Sequence, residues 1–296
     1  MKKSLFIVLM LGALAGCQTP SLVPEGAWVQ QVSTGYKFTE GPASDGAGNI
    51  YFTDIPNERI IRYNVAENRE YVFRSDTGKA NGLMWHKGCL YMAEGGNRRV
   101  TRLCGDDLQV LATTNPFGRR LNSPNDLAVD YTGGVYFTDP RYGNRDDMQM
   151  TTEGVYYRSH DGALTLIIDD LVRPNGVVLA ADGRTLYVAD NAAKTIYAYE
   201  VKSPGVIGVR RFFAAMDPNT NGGPDGMTVD KSGRVYAAGQ GAIWVWDRKG
   251  ALIEQILVPE NPSNAAFGGP RNSTLYITAR TSLYKIELHA QGAGPK

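Results

Sequence analysis

Cysteine and histidine are both scarce in this 296-residue chain, with three of each. The histidines, His86, His160 and His289, fall in turns or in the tail, away from the polar motifs described below, and none is assigned a catalytic role. Charge of one sign is also lacking: 31 basic residues stand against 30 acidic ones, for a net charge of +1. There is no basic block or stripe, so the composition argues against a nucleic-acid partner. Helical periodicity is hard to find beyond the first residues. After the N-terminal stretch no apolar run approaches 18 residues, the length that would suggest a membrane-spanning helix. What is abundant is glycine, 34 residues, and tyrosine, 16 residues, a composition of many turns and many strands.

The strands repeat. A short apolar stretch with tyrosine near its start recurs six times, at Tyr51, Tyr91, Tyr136, Tyr187, Tyr236 and Tyr276, spaced by 40, 45, 51, 49 and 40 residues. Each tyrosine follows, by 10 to 12 residues, a polar position: Glu40, Asn81, Asn125, Asn175, Asp225 and Asn264. Turn residues lie between, such as Asp45-Gly46, Lys87-Gly88 and Ser232-Gly233, and suit hairpins that need a positive φ. A third strand follows each tyrosine strand and a fourth usually follows that, as in Leu164–Ile168. Four antiparallel strands per unit at this period predict an all-β, six-bladed β-propeller over residues 27–290, followed by a tail, 291–296. A pair of β-sandwiches is the rival, but sandwiches do not repeat one motif six times. The sixth unit ends after its third strand, so Trp28–Val32 is expected to supply the fourth and close the ring. The one long departure from the pattern is Pro140 to Glu153, which reads as a loop or lid at one face.

The first residues read as a targeting segment rather than as fold. Lys2-Lys3 is a positive start and Ser4 to Leu14 an apolar core. Leu14-Ala15-Gly16-Cys17 resembles the lipobox of bacterial lipoproteins. That resemblance implies a signal peptide over 1–16, lipidation of Cys17, and a tether over 17–26. Gln18 in place of Asp implies sorting to the outer membrane, facing the periplasm, with the lipid as the only membrane contact. The remaining cysteines, Cys89 and Cys104, flank the second and third strands of one unit. Gly95 to Arg98 forms the connecting turn. Partners across it sum to 193, and 89 + 104 is also 193, so the two stand opposite each other within reach of a disulfide. An oxidising compartment permits the bridge. The alternative is a pair of unbonded small apolar residues.

The first strand of each propeller blade lines the central channel. Glu40, Asn81, Asn125, Asn175, Asp225 and Asn264 therefore form a ring at one mouth. Any one of them could merely cap a turn. Six in register give two carboxylates and four amides, an oxygen set suited to a hard cation such as Ca²⁺.

The segments Arg120-Leu121-Asn122-Ser123-Pro124-Asn125-Asp126, Phe137 to Gly143, Arg173 to Gly176, Leu186 to Asp190 and Pro224 to Met227 stand in an order that resembles the SMP-30/gluconolactonase/LRE-like family. The resemblance covers roughly residues 35–287. It implies a divalent metal, usually calcium, held at Glu40, Asn125, Asn175 and Asp225, with Mg²⁺, Mn²⁺ or Zn²⁺ as possible substitutes. It also implies hydrolysis of a lactone or related ester by a metal-activated water. Ser123 stands where mammalian members carry arginine. In this reading Asp225 is the general base and Asp126 the second choice, with holding the loop as the alternative role for Asp126. Asn81, Asn122 and Arg120 would orient the substrate. The ligand pattern also resembles that of the diisopropyl-fluorophosphatase propellers, which keeps phosphotriester cleavage open. An envelope-tethered binding propeller is the non-enzymatic alternative. A monomer is expected.

Overall fold

The structure, a computed structural model, describes residues 21–294. The proposed signal segment and Cys17 lie outside the described residues. Six small antiparallel sheets follow one another along the chain, and each starts with the strand that faces the common axis. The inner strands are Thr39–Ser44, Ala80–His86, Leu127–Val129, Pro174–Leu179, Met227–Val229 and Pro262–Gly268. This is a six-bladed propeller. Its sixth blade is completed by Gln30–Thr34, which pairs antiparallel with Ser282–Glu287. The closing strand thus begins two residues after Trp28, whose side chain is left exposed at the rim of the blade. The fourth blade carries an addition: the hairpin strand Val206–Ile207 extends the outer end of Thr195–Ser203, before Arg211–Ala215 completes the blade.

The tyrosines explain the repeat. All six are buried, and several pack against an aromatic ring of their own or the next blade, including Tyr51 on Trp85 at 5.0 Å and Tyr236 on Phe267 at 5.1 Å. A large ring with one polar end fills the wedge between blades and finds a partner for its hydroxyl. The Tyr236 hydroxyl donates to Asp230 Oδ2 at 2.9 Å, and the Tyr136 hydroxyl accepts from Gly205 N at 2.8 Å.

The two ends of the described chain meet on the face opposite the polar ring. His289 N donates to Leu22 O, and Leu22 is buried between the fifth and sixth blades. Beyond it, Gly292 bridges Asp230 and Ala293 N donates to Val229 O, so the C-terminal segment runs beneath the channel.

In the second blade Cys89 pairs directly with Cys104, and their sulfur atoms are joined across a sequence separation of 15. A loop of that length is worth about 3 kcal/mol of unfolded-state entropy. The double variant Cys89→Ala/Cys104→Ala is expected to unfold at a free energy lower by about 2–3 kcal/mol in urea. An unchanged midpoint would show that the blade holds its register without the bridge.

Candidate active site at the channel mouth

In four blades the ring residue sits where the inner strand breaks its regular pairing. The ladder shifts between Glu40 and Ala43, between Ala80 and Leu83, between Pro174 and Val177, and between Pro262 and Asn264. Such bulges re-aim a side chain that a regular strand would direct elsewhere. The residue after the ring position is glycine in four blades, and the neighbouring blade explains why. A Cβ on Gly41 would lie 2.0 Å from Asn81 O, one on Gly176 2.2 Å from Asp225 O, and one on Gly226 1.8 Å from the Asn264 side chain. Hydrogen bonds lock blade to blade at the same level: Gly82 N to Asn125 O at 2.8 Å, Thr138 Oγ1 to Asn175 O at 2.7 Å, and Ser263 Oγ to Thr39 O at 2.8 Å. The mouth is therefore a tight belt with little freedom to reshape.

A second device aims three of the ring residues. Asp54, Asp139 and Asp190 end the tyrosine strands of the first, third and fourth blades. Each carboxylate accepts two backbone N–H groups two and three residues before a ring position. Asp54 takes Lys37 N and Phe38 N ahead of Glu40, at 3.0 and 3.3 Å. Asp139 takes Asn122 N and Ser123 N ahead of Asn125, at 2.7 and 2.8 Å. Asp190 takes Val172 N and Arg173 N ahead of Asn175, at 2.9 and 3.0 Å. The signal was present in the sequence as an acidic residue closing each of these strands, but its role emerges only from the contacts.

Within the belt, Glu40, Asn125, Asp126, Asn175 and Asn264 are buried, while Asn81 and Asp225 are partly accessible. Glu40 Oε2 accepts from Gly41 N at 2.8 Å and from Asn264 Nδ2 at 3.1 Å. Even so, burial pushes its carboxyl up to about 7. Asp126 takes the place that glycine holds in four other blades. Its Oδ1 accepts from Leu127 N at 2.9 Å, and its Oδ2 from Val177 N of the next blade at 3.3 Å. Burial, and then the charge of Glu40, raise it to about 7. Asp225 lies well above the usual carboxylate range, through burial first and then the charges of Glu40 and Asp126. None of the ion pairs among the described residues reaches these three acids.

The residues assigned to substrate binding divide. Asn81 stands in the belt. Asn122 is fully buried below it, and its Nδ2 is committed to Asp139 O and Thr152 O, both at 3.1 Å. Arg120 is exposed, and its guanidinium reaches Asn97 O of the second blade at 3.5 Å. A residue that sequence reasoning passed over, Tyr142, instead brings its hydroxyl into the mouth, where it accepts from Asn175 Nδ2 at 2.7 Å.

Fold and mouth together define a closed six-bladed propeller with a crowded carboxylate–amide belt at one end of its channel. The SMP-30/gluconolactonase/LRE-like region matches residues 38–281, and the chain belongs to that family. The gluconolactonase of Zymomonas mobilis is 30% identical, with 89% of this chain and 82% of that protein covered. Pentonolactonase XacC of Haloferax volcanii is 28% identical, with 83% of each covered. Among solved structures, a gluconolactonase from Xanthomonas campestris superposes with a TM-score of 0.82 at 30% identity, over 88% of this chain and 90% of that one.

Proposed function

We propose that the protein is a divalent-cation-dependent lactonase, with Glu40, Asn125, Asn175 and Asp225 as the cation's ligands and Ca²⁺ as the ion. The observation that carries the reading is the gathering of Glu40, Asp126 and Asp225, each raised above its ordinary range, in one belt without an ion-pair partner. Carboxylates so placed repel one another unless protonated or joined by a cation. Among the described residues no three His, Cys, Asp or Glu side chains converge closely enough to hold an ion alone. The two asparagines are needed to complete the shell, and the resulting all-oxygen set suits a hard ion. The sequence relatives named as lactonases support a lactone as substrate.

A bound cation would supply Lewis acidity toward the lactone carbonyl and lower the pKa of a water. The chain supplies the rest. Asp225, the one of the three acids that is partly accessible, takes the proton of the attacking water. The water oxygen bonds to the carbonyl carbon, the ring C–O bond breaks, and the proton passes to the departing oxygen. Asp126 is less suited to this work, because each of its oxygens already accepts a backbone N–H. It braces the third blade against the fourth. Asn81, a partly accessible belt residue, would orient substrate hydroxyls.

The test is turnover of sugar, homoserine and aromatic lactones, with a phosphotriester alongside, after exhaustive chelation and after adding back Ca²⁺, Mg²⁺, Mn²⁺ or Zn²⁺ singly. Loss of lactone opening on chelation and its return with Ca²⁺ are expected. Full turnover in chelated protein would end the reading, and preferential cleavage of the phosphotriester would redirect it.

A further inference from the structure

An asparagine amide presents either an oxygen or a nitrogen, and a cation ligand must present the oxygen. Something must therefore fix the orientation of Asn175. Its Nδ2 donates to the Tyr142 hydroxyl at 2.7 Å. With Nδ2 turned to the tyrosine, Oδ1 is the atom left for a cation.

Tyr142 belongs to the 140–153 loop, and the structure shows why its hydroxyl can serve as a fixed point. The loop is clasped at both ends by Glu153, itself buried, which accepts from Arg141 N at 3.0 Å and pairs with Arg145 at 2.6 Å. Glu153 also lies 3.6 Å from Arg173, whose guanidinium covers the Tyr142 ring at 5.2 Å from its centroid. A second clasp joins Arg141 to Asn122 O at 2.8 Å and to Asp147, which pairs with the buried Arg98 at 2.7 Å. The loop is thus tied to the second, third and fourth blades. Its phenol ring is part-exposed, while its hydroxyl points inward to the belt.

We propose that Tyr142 is a positioning residue that sets the amide of Asn175 oxygen-inward, so that the inserted loop of the third blade tunes the cation affinity of a site on the fourth. The proposal rests on the cation reading above. Partners of this kind, one step out from a ligand, typically change metal affinity by about 10–100-fold when lost.

The experiment is isothermal titration of Ca²⁺ into the chelated wild type and Tyr142→Phe, which removes only the hydroxyl, with melting temperatures in chelator as the fold control. The expected result is affinity weaker by about tenfold or more in Tyr142→Phe, with the chelated melting temperature unchanged. Saturating Ca²⁺ should restore most of its kcat with KM for the lactone unchanged, whereas loss of a substrate contact would raise KM. Arg173→Met, which uncovers the tyrosine ring, should weaken binding in the same direction by a smaller factor. Equal affinities for wild type and Tyr142→Phe overturn the proposal and leave the cation reading standing. If the wild type itself takes up no Ca²⁺, both fall.

Discussion

Asp225→Ala is expected to lower kcat/KM for lactone opening by about 10³-fold or more, a loss of about 4 kcal/mol of transition-state stabilisation. Two roles fall together in this side chain. In the proposed site it would supply one of the two ligand charges, and of the three belt acids it is the one that is partly accessible as well as strongly raised. Asp225→Asn keeps the shape while removing the charge, so it should lose nearly as much. Asp126→Asn should lose less, within about tenfold, because an amide oxygen can still accept one of the two backbone N–H groups that Asp126 now binds. Measured with added Ca²⁺, an Asp225→Ala enzyme within about tenfold of wild type would remove Asp225 from the chemistry. A deeper loss in Asp126→Asn than in Asp225→Asn would exchange their roles.

The propeller was legible because each blade repeats one physical problem. A tyrosine must fill the wedge to the next blade, and a tight turn must return the chain to the axis. Both demands leave a mark at a fixed period, and so does the ring position that opens each unit. The disulfide register was legible for the same reason, since Glu94 pairs with Arg99 across a four-residue turn and Cys89 then faces Cys104. Side-chain direction was not legible. Arg120 and Asn122 share a motif with Asn125, yet Asp139 draws the Asn122 backbone inward, and Arg120 turns to Asn97 of the second blade. Asp126 reads in sequence either as a second mouth acid or as a residue that holds the loop, and its two backbone N–H contacts, at a position where other blades place glycine, fit the second role. Tyr142 lay in a stretch without strand pattern, where neither periodicity nor spacing says which side chain turns inward. Its placement depends on Glu153, Arg173 and Arg98, residues drawn from three blades.

The largest effect on stability is expected from the belt itself, as a cation stabilisation that grows with pH. Glu40 and Asp126 are raised from ordinary values of 4.5 and 3.8 to about 7, and Asp225 is raised as well. Between pH about 4 and about 7 the folded chain therefore holds protons that the unfolded chain has released. The sign follows: without a cation, folding stability falls as pH rises through that window, and the penalty is absent below it. Glu40 and Asp126 each represent on the order of 3 kcal/mol at neutral pH, and because the groups act on each other their penalties do not simply add. His86 acts in the opposite sense, since burial lowers its pKa and acid favours its unfolded, protonated form. The quantity to read is therefore the difference between Ca²⁺-loaded and chelated protein at each pH, in which the His86 contribution cancels. Urea unfolding at pH 5 and pH 8 should give a Ca²⁺ stabilisation larger at pH 8 by about 3 kcal/mol or more. Asp126→Asn removes one of the three interacting charges and should reduce that pH dependence. A Ca²⁺ stabilisation equal at the two pH values would mean that the three acids are not what the cation neutralises.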